Sequence, residues 1–374
     1  MKADCVACGL TDEALDGYCR ACGGIRLSGA PVPGPGELRP AQEPTPLRPS
    51  RVPGLEGVLL KLEGANPTGS FKDRVMRVLV GEAAGSGLRG AVVASSGNAA
   101  VAASAACAEA GLPLLVLIPA RTPPERVAPA ALRGAAILRI QLEISSVHAL
   151  AGRLAETFGL ANLSSTFAAP GCEWACRQIG RELAEQLDRP VRVLVAPVSA
   201  GPVLAGAGRG LAETTGVMPA LVAAQASGCA PIVRAFEAGW PEVRPWTGPI
   251  ATRAAAIADP LVAYPQDGTF TLARVRASGG FAAAVTDEEL DRMRRELAVR
   301  DGVDAELSAC AAPSVWRGAR RGDVDGPVVC LLTGNGLKDT LTGPREPGTR
   351  LAEYAEAAGA GPPLAEEVQR WTGG

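Results

Sequence analysis

Lysine is rare in this chain of 374 residues: of 37 basic side chains, only Lys2, Lys61, Lys72 and Lys338 are lysines. Lys72 stands in the run Asn66-Pro-Thr-Gly-Ser-Phe-Lys72-Asp-Arg74. Pro67 biases Asn66 away from helix, and Gly69 permits a tight turn. Ser70 is a good N-cap for the apolar Val75, Val78 and Leu79, which follow at helical spacing. The pattern predicts strand, turn and helix, with Lys72 in the first helical turn. A lysine there meets the positive end of the helix macrodipole, which favours the amine over the ammonium. A neutral amine is a nucleophile, and imine formation with an aldehyde most needs one. The commonest aldehyde cofactor is pyridoxal 5'-phosphate (PLP). Arginine forms no imine, so a lysine kept in an arginine-rich chain points the same way. The competing reading is a surface lysine with its head in water.

The second constellation is Cys5-Val-Ala-Cys8, ten intervening residues, then Cys19-Arg-Ala-Cys22. Two such knuckles can close four thiolates around a tetrahedral Zn²⁺, and Gly9 and Gly23 ease the turn after each. A redox pair fits less well, because no thioredoxin-like strand and helix surround the motif. Cys107, Cys172, Cys176, Cys229, Cys310 and Cys330 are scattered among apolar segments and read as buried free thiols. The single histidine, His148, excludes a multi-histidine zinc site and leaves a Ser-His-Asp triad no second choice of base. His148 lies on a helix-like segment with no Cys or Asp nearby in sequence and reads as structural.

The formal charge of −2 gives no basic footprint for nucleic acid. No apolar run reaches the roughly 18 residues of a membrane span, and residues 1 to 30 hold no signal core. A cytoplasmic protein is expected, with a small-molecule amino acid as partner, no nucleic acid or membrane, and a homodimer left open. The length suits two lobes and an appendage.

Those elements position the lysine as follows. Residues 1–28 form a zinc-ribbon-like segment, and 29–56 a proline-rich linker with Pro31, Pro33, Pro35, Pro40, Pro44, Pro46, Pro49 and Pro53. Strands are expected at 90–94, 112–118, 136–142, 192–198, 220–226 and 327–332, separated by helices. This α/β alternation predicts parallel sheets. A small lobe is expected at 66–160, and a large lobe at 57–65 plus 161–342. A helical tail covers 343–374. Ser95-Ser-Gly-Asn-Ala99 joins a strand to a helix N-terminus suited to an anion such as a carboxylate. Ser199-Ala-Gly-Pro-Val-Leu-Ala-Gly206 does the same for a phosphate, although Pro202 lacks an N–H.

Asn66 to Arg74 resembles the cofactor-lysine motif of fold-type II PLP enzymes, and most closely that of the threonine synthase family in the tryptophan synthase beta-like superfamily. The resemblance continues in order to about residue 340, through Gln225-Ala-Ser-Gly-Cys-Ala-Pro-Ile232 and Thr333-Gly-Asn-Gly-Leu-Lys-Asp339. It implies that Lys72 is catalytic, that Asn98 holds the phenolic oxygen of PLP, and that Thr333 holds its pyridine nitrogen. Ser199, Ala200, Gly201 and Val203 would anchor its phosphate. Ser95 and Ser96 would hold the substrate carboxylate, and Glu306 would lie near the ring. Zinc through Cys5, Cys8, Cys19 and Cys22 suits the same family.

The sequence departs from the family where Asn-Pro-x-Arg-x-Glu-Gly normally precedes a helix. It reads Ala168-Ala-Pro-Gly171-Cys-Glu173, so two polar groups for a substrate phosphate are missing, with Lys61 or an arginine as candidate replacements. The expected activity is a threonine synthase-like lyase, turning O-phospho-L-homoserine and water into L-threonine and phosphate. Open alternatives are β-elimination or β-replacement on serine, threonine or O-phosphoserine, including in specialised metabolism, and a non-catalytic amino-acid-binding relative. No ribbon residue enters this chemistry, so activity is expected to tolerate ribbon damage better than loss of Asn98.

Overall fold

The structure, a computed structural model, describes residues 2–13, 17–29, 43–142, 144–164, 166–319, 324–339, 351–354 and 362–371. At the start, β1 (Lys2–Cys5), β2 (Thr11–Glu13) and β3 (Arg26–Ser28) form an antiparallel sheet in the order β2-β1-β3. The cysteine pairs sit in the turn after β1 and the turn before β3. Residues 30–42 of the expected linker lie outside the described residues. From there β4 (Leu47–Pro49) pairs antiparallel with β5 (Val58–Leu62), and α1 (Lys72–Gly85) follows.

Next come β6 (Ala91–Ala94), α2 (Asn98–Ala110), β7 (Leu114–Pro119), α3 (Ala128–Leu132), β8 (Ala136–Ile140), α4 (Ile144–Phe158) and β9 (Ala161–Asn162). Every residue of β6 and β7 is buried, as expected of parallel strands covered by helices on both faces. After α5 (Pro170–Gln186), the chain runs through β10 (Val193–Pro197), α6 (Pro202–Thr215), β11 (Ala220–Ala226), α7 (Pro231–Glu237), α8 (Pro265–Ala277), β12 (Phe281–Val285), α9 (Asp287–Glu296), α10 (Ala311–Gly318) and β13 (Val328–Leu332). It ends with β14 (Leu351–Tyr354) and α11 (Pro362–Trp371).

The large sheet has the order β12-β11-β10-β13-β5-β4, parallel except for β4. The smaller is wholly parallel, in the order β14-β8-β7-β6-β9. In the large sheet β10 is followed by β11 on one side and flanked by β13 on the other. Such a switch in strand order opens a crevice at the carboxyl ends of the strands. Val93 and Val116 of one sheet share a buried core with Leu194 and Ala196 of the other and with Cys172 and Ile179 of α5.

Three details differ from expectation. Phe71, not Ser70, precedes the first residue of α1, because the Ser70 backbone is engaged in a bridge to Gly334. The small-lobe sheet also reaches beyond residue 160, taking in β9. Residues 343–374 are not purely helical: β14 covers the edge of β8 that an open parallel sheet would expose. Among the described residues no helix is long and apolar enough to cross a membrane.

Candidate active site

A cavity of about 350 Å³ lies at the carboxyl ends of β6, β7, β10 and β13. Lys72, the first residue of α1, lines it. The turn before Lys72 is locked to the end of β13, since the Phe71 N–H donates to the Thr333 carbonyl over 3.0 Å. The Lys72 Nζ stands 4.6 Å from the Phe71 ring centroid. Thr333, only 5% exposed, lines the same cavity.

Ser95, Ser96 and Asn98 line the cavity where β6 passes into α2. Gly97 is the N-cap and no side chain caps the helix, so first-turn N–H groups remain available to a ligand. Asn98 Nδ2 donates to Glu306 Oε2 over 2.8 Å, and Glu306 is buried.

Ser199, Ala200, Gly201 and Val203 line the cavity where β10 passes into α6. Gly201 has a φ of +107°, and a Cβ there would stand 2.1 Å from Thr271 Oγ1. Thr271 Oγ1 itself donates to the Ala200 carbonyl over 2.6 Å. Only glycine fits this turn, which brings backbone N–H groups to the cavity. Ser199 Oγ donates to Asp259 Oδ2 over 2.8 Å, so its hydroxyl is engaged within the protein and the N–H is what this residue offers a ligand.

Several cavity residues escape sequence reasoning. His148 lies in the wall, with its ring edge-on to Tyr264 at 5.5 Å and its Nδ1 buried without a partner among the described residues. Burial lowers its pKa, and the Asp259 carboxylate opposes that shift. No Asp is near His148 in sequence, and Asp259 comes close in space from more than a hundred positions away. Arg121 and Arg126 also line the cavity. Arg126 Nη2 would stand 3.4 Å from a Cβ built at Gly97, and its guanidinium has no hydrogen bond or ion pair among the described residues. Both arginines follow β7 as Ser95 follows β6, so the rule of carboxyl-end loops could have found them.

The expectation of Lys61 as a replacement cation for the departed segment is corrected. Lys61 is fully buried away from the cavity, with Nζ 2.7 Å from Glu182 Oε2 and 2.8 Å from the Thr45 carbonyl. It belongs to a buried ion network with Glu63, Arg74 and Glu182. Gly171 does not face the cavity either: a Cβ there would stand 2.9 Å from Leu79 Cδ2 and 3.1 Å from Glu82 Oε2, both on α1.

In the ribbon, the Sγ atoms of Cys5, Cys8, Cys19 and Cys22 all lie within 4.8 Å of one another. Cys5 to Cys22 is 3.5 Å and Cys8 to Cys19 is 3.7 Å. A zinc tetrahedron with bonds of about 2.3 Å has S···S edges of about 3.8 Å, so the four thiols fit this ion. The other six cysteines are buried and in no disulfide.

The cavity also fits PLP. Backbone donors at one wall suit a phosphate, and an amine, an amide and a hydroxyl line the rest of the cavity. A family model described as "Pyridoxal-phosphate dependent enzyme" matches residues 38–334. The chain is 35% identical over 302 residues to a threonine synthase of Methanosarcina acetivorans, covering 77% of this chain and 72% of that one. It is 33% identical over 296 residues to a threonine synthase of Methanocaldococcus jannaschii, covering 76% and 72%. Among solved structures, maize serine racemase matches with a TM-score of 0.68 at 18% identity, covering 79% of this chain and 88% of that one. A threonine deaminase of T.th. matches with a TM-score of 0.65 at 25% identity, covering 78% and 92%.

Proposed function

The chain belongs to the pyridoxal-phosphate dependent enzyme family and is a threonine synthase-like lyase; we propose that it converts O-phospho-L-homoserine and water to L-threonine and phosphate. The observation that carries this substrate is the pair Arg121 and Arg126 in the cavity wall. Arginine suits a phosphate dianion through paired charge-assisted hydrogen bonds, and these two bring cations that the segment from Ala168 to Glu173 does not.

The N–H groups of Ser199, Ala200, Gly201 and Val203 would hold the cofactor phosphate, Asn98 its phenolic oxygen, and Thr333 its ring nitrogen. When bound, PLP supplies an electron-withdrawing ring that acidifies the hydrogens of an attached amino acid. Ser95, Ser96 and the first turn of α2 would hold the substrate carboxylate. Lys72 would take protons from Cα and Cβ and return them at Cγ and Cα, while phosphate leaves Cγ and the hydroxyl of water adds at Cβ. Thr333 is neutral and does not fix a proton on the ring nitrogen as an aspartate would, which suits elimination and replacement.

Cys5, Cys8, Cys19 and Cys22 would hold one structural Zn²⁺. None of the ten cysteines is in a disulfide, which suits a reducing compartment, and the cytoplasm is the location we assign.

Purified protein given O-phosphohomoserine, O-phosphoserine or threonine separates the readings. Phosphate release with threonine formation from the first supports the proposal. Keto-acid release from the other two, with phosphohomoserine inert, would replace it by β-elimination, a reading favoured by the departure at Ala168.

A further inference from the structure

We propose that the N-terminal ribbon clamps one wall of the cavity, with Gly17 and Tyr18 as positioning residues for the segment Thr166–Ala168. This segment connects β9 to α5, and Thr166, only 6% exposed, lines the cavity. The Thr166 hydroxyl accepts from the Ala168 N–H over 3.1 Å, so where Ala168 is held also fixes Thr166.

The ribbon grips the segment at three points. The Gly17 N–H donates to the Ala168 carbonyl over 2.8 Å, while the Gly17 carbonyl accepts from the Arg26 N–H at the start of β3 over 2.8 Å. The approach is so close that a Cβ at Gly17 would stand 1.7 Å from the Phe167 carbonyl oxygen. Next, one carboxylate bridges both partners: Asp267 Oδ1 accepts from the Tyr18 hydroxyl over 2.8 Å and Oδ2 from the Phe167 N–H over 3.0 Å. Asp267 is fully buried in the first turn of α8. Finally, the Phe167 side chain is buried against Ile25 and Leu27 of the ribbon.

A segment outside regular secondary structure has few hydrogen bonds of its own to keep one conformation. Here its carbonyl, its amide and its aromatic side chain are all held by groups of the ribbon or by a carboxylate the ribbon shares. Gly17 and Tyr18 lie between the two cysteine knuckles, so an ion that closes the knuckles also fixes the donors that hold Thr166. The ribbon contributes no group to the chemistry, but on this proposal it sets the position of a cavity wall.

The inference rests on the cavity being the amino-acid site, and its primary readout needs no turnover. Hydrogen exchange would be followed in the full-length holoenzyme and in the Tyr18→Phe and Gly17→Ala variants, with Val193–Pro197 of β10 as internal control. The expected result is faster exchange at Phe167 and Ala168 in Tyr18→Phe, with the control strand and the visible absorbance of the bound cofactor unchanged. KM for whichever amino acid is turned over should rise about three- to tenfold with kcat within about twofold, the worth of one lost hydrogen bond. Gly17→Ala should act in the same direction and more strongly. If that variant does not fold, Tyr18→Phe alone decides. Unchanged exchange at 166–168, or an equal rise in β10, would overturn the proposal, whatever substrate the enzyme uses.

Discussion

Asn98 Nδ2 donates to Glu306 Oε2 over 2.8 Å, tying the first turn of α2 in the smaller sheet's lobe to the loop before α10 in the larger one. The amide assigned to the cofactor's phenolic oxygen is therefore oriented by a carboxylate from across the crevice. Glu306→Gln should weaken PLP binding about three- to tenfold through loss of a charge-assisted bond. Asn98→Ala should weaken it further. Titration of apoenzyme with PLP, followed by absorbance, measures both, and equal affinity in all three proteins would remove Glu306 from the argument.

Borohydride treatment of the holoenzyme should fix the cofactor to Lys72, with the modified peptide identified by mass. Lys72→Ala should lose turnover by at least about a thousandfold, because it removes both nucleophile and proton carrier. A reducible covalent cofactor adduct persisting in that variant would sink the assignment.

Arg126→Ala should raise KM for O-phosphohomoserine about ten- to a hundredfold, the worth of one charge-assisted contact of about 1.5–3 kcal/mol. A phosphate-free amino acid should be affected far less. Introducing arginine at Gly171 should not improve turnover of the phosphorylated substrate, since the new side chain would start against Leu79 and Glu82 and not in the cavity. Steady-state kinetics on the two variants tests both statements.

Elemental analysis should find about one zinc per chain, and Cys8→Ser with Cys22→Ser should abolish it. Both cysteines are exposed, so their replacement removes ligands without opening the core. Zinc retained at full occupancy in the double variant would place the ion elsewhere.

Burial pushes the Glu82 carboxyl up to about 7, and its Oε1 has no partner among the described residues. The folded pKa is raised above the unfolded value, so the folded state is favoured at low pH. That contribution is lost as pH rises from about 4.5 through 7, with a cost of order 2–3 kcal/mol above that range. Glu82→Gln should therefore melt higher than the parent at pH 8 and about equally at pH 4.5. A constant difference in Tm across that range would remove Glu82 as the cause.

Lys72, Asn98 and Thr333 are legible in the sequence because each sits at a strand-to-helix or strand-to-loop junction, and junctions are marked locally by glycine, proline and N-cap residues. The four ribbon cysteines are legible for the same reason, since their spacing is their geometry. Lys61 is not legible: its burial depends on Glu182 lying opposite, and no local pattern records that pairing. Gly171 misleads likewise, because its facing is set by the packing of α5 on α1. Arg121, Arg126, His148 and Asp259 converge only once strand order is known, which periodicity does not carry. The edge strand β14 is short and sits among helix-forming residues, so tertiary pairing decides it.

The position of β13 between β5 and β10 sets an order of events during synthesis. Val58–Leu62 is made long before Val328–Leu332, its parallel neighbour in the sheet among the described residues. Until β13 emerges from the ribosome, β4 and β5 have no route into the sheet that β10, β11 and β12 can already form. The nascent chain must then carry the apolar strand β5 with an unpaired edge until β13 is made. Thr333 and the Lys72 turn that leans on it come into register in the same late step. A chain released short of β13 would have a ribbon and a nearly complete small sheet but no assembled lysine site, and its exposed edges would make it a substrate for chaperones or proteases.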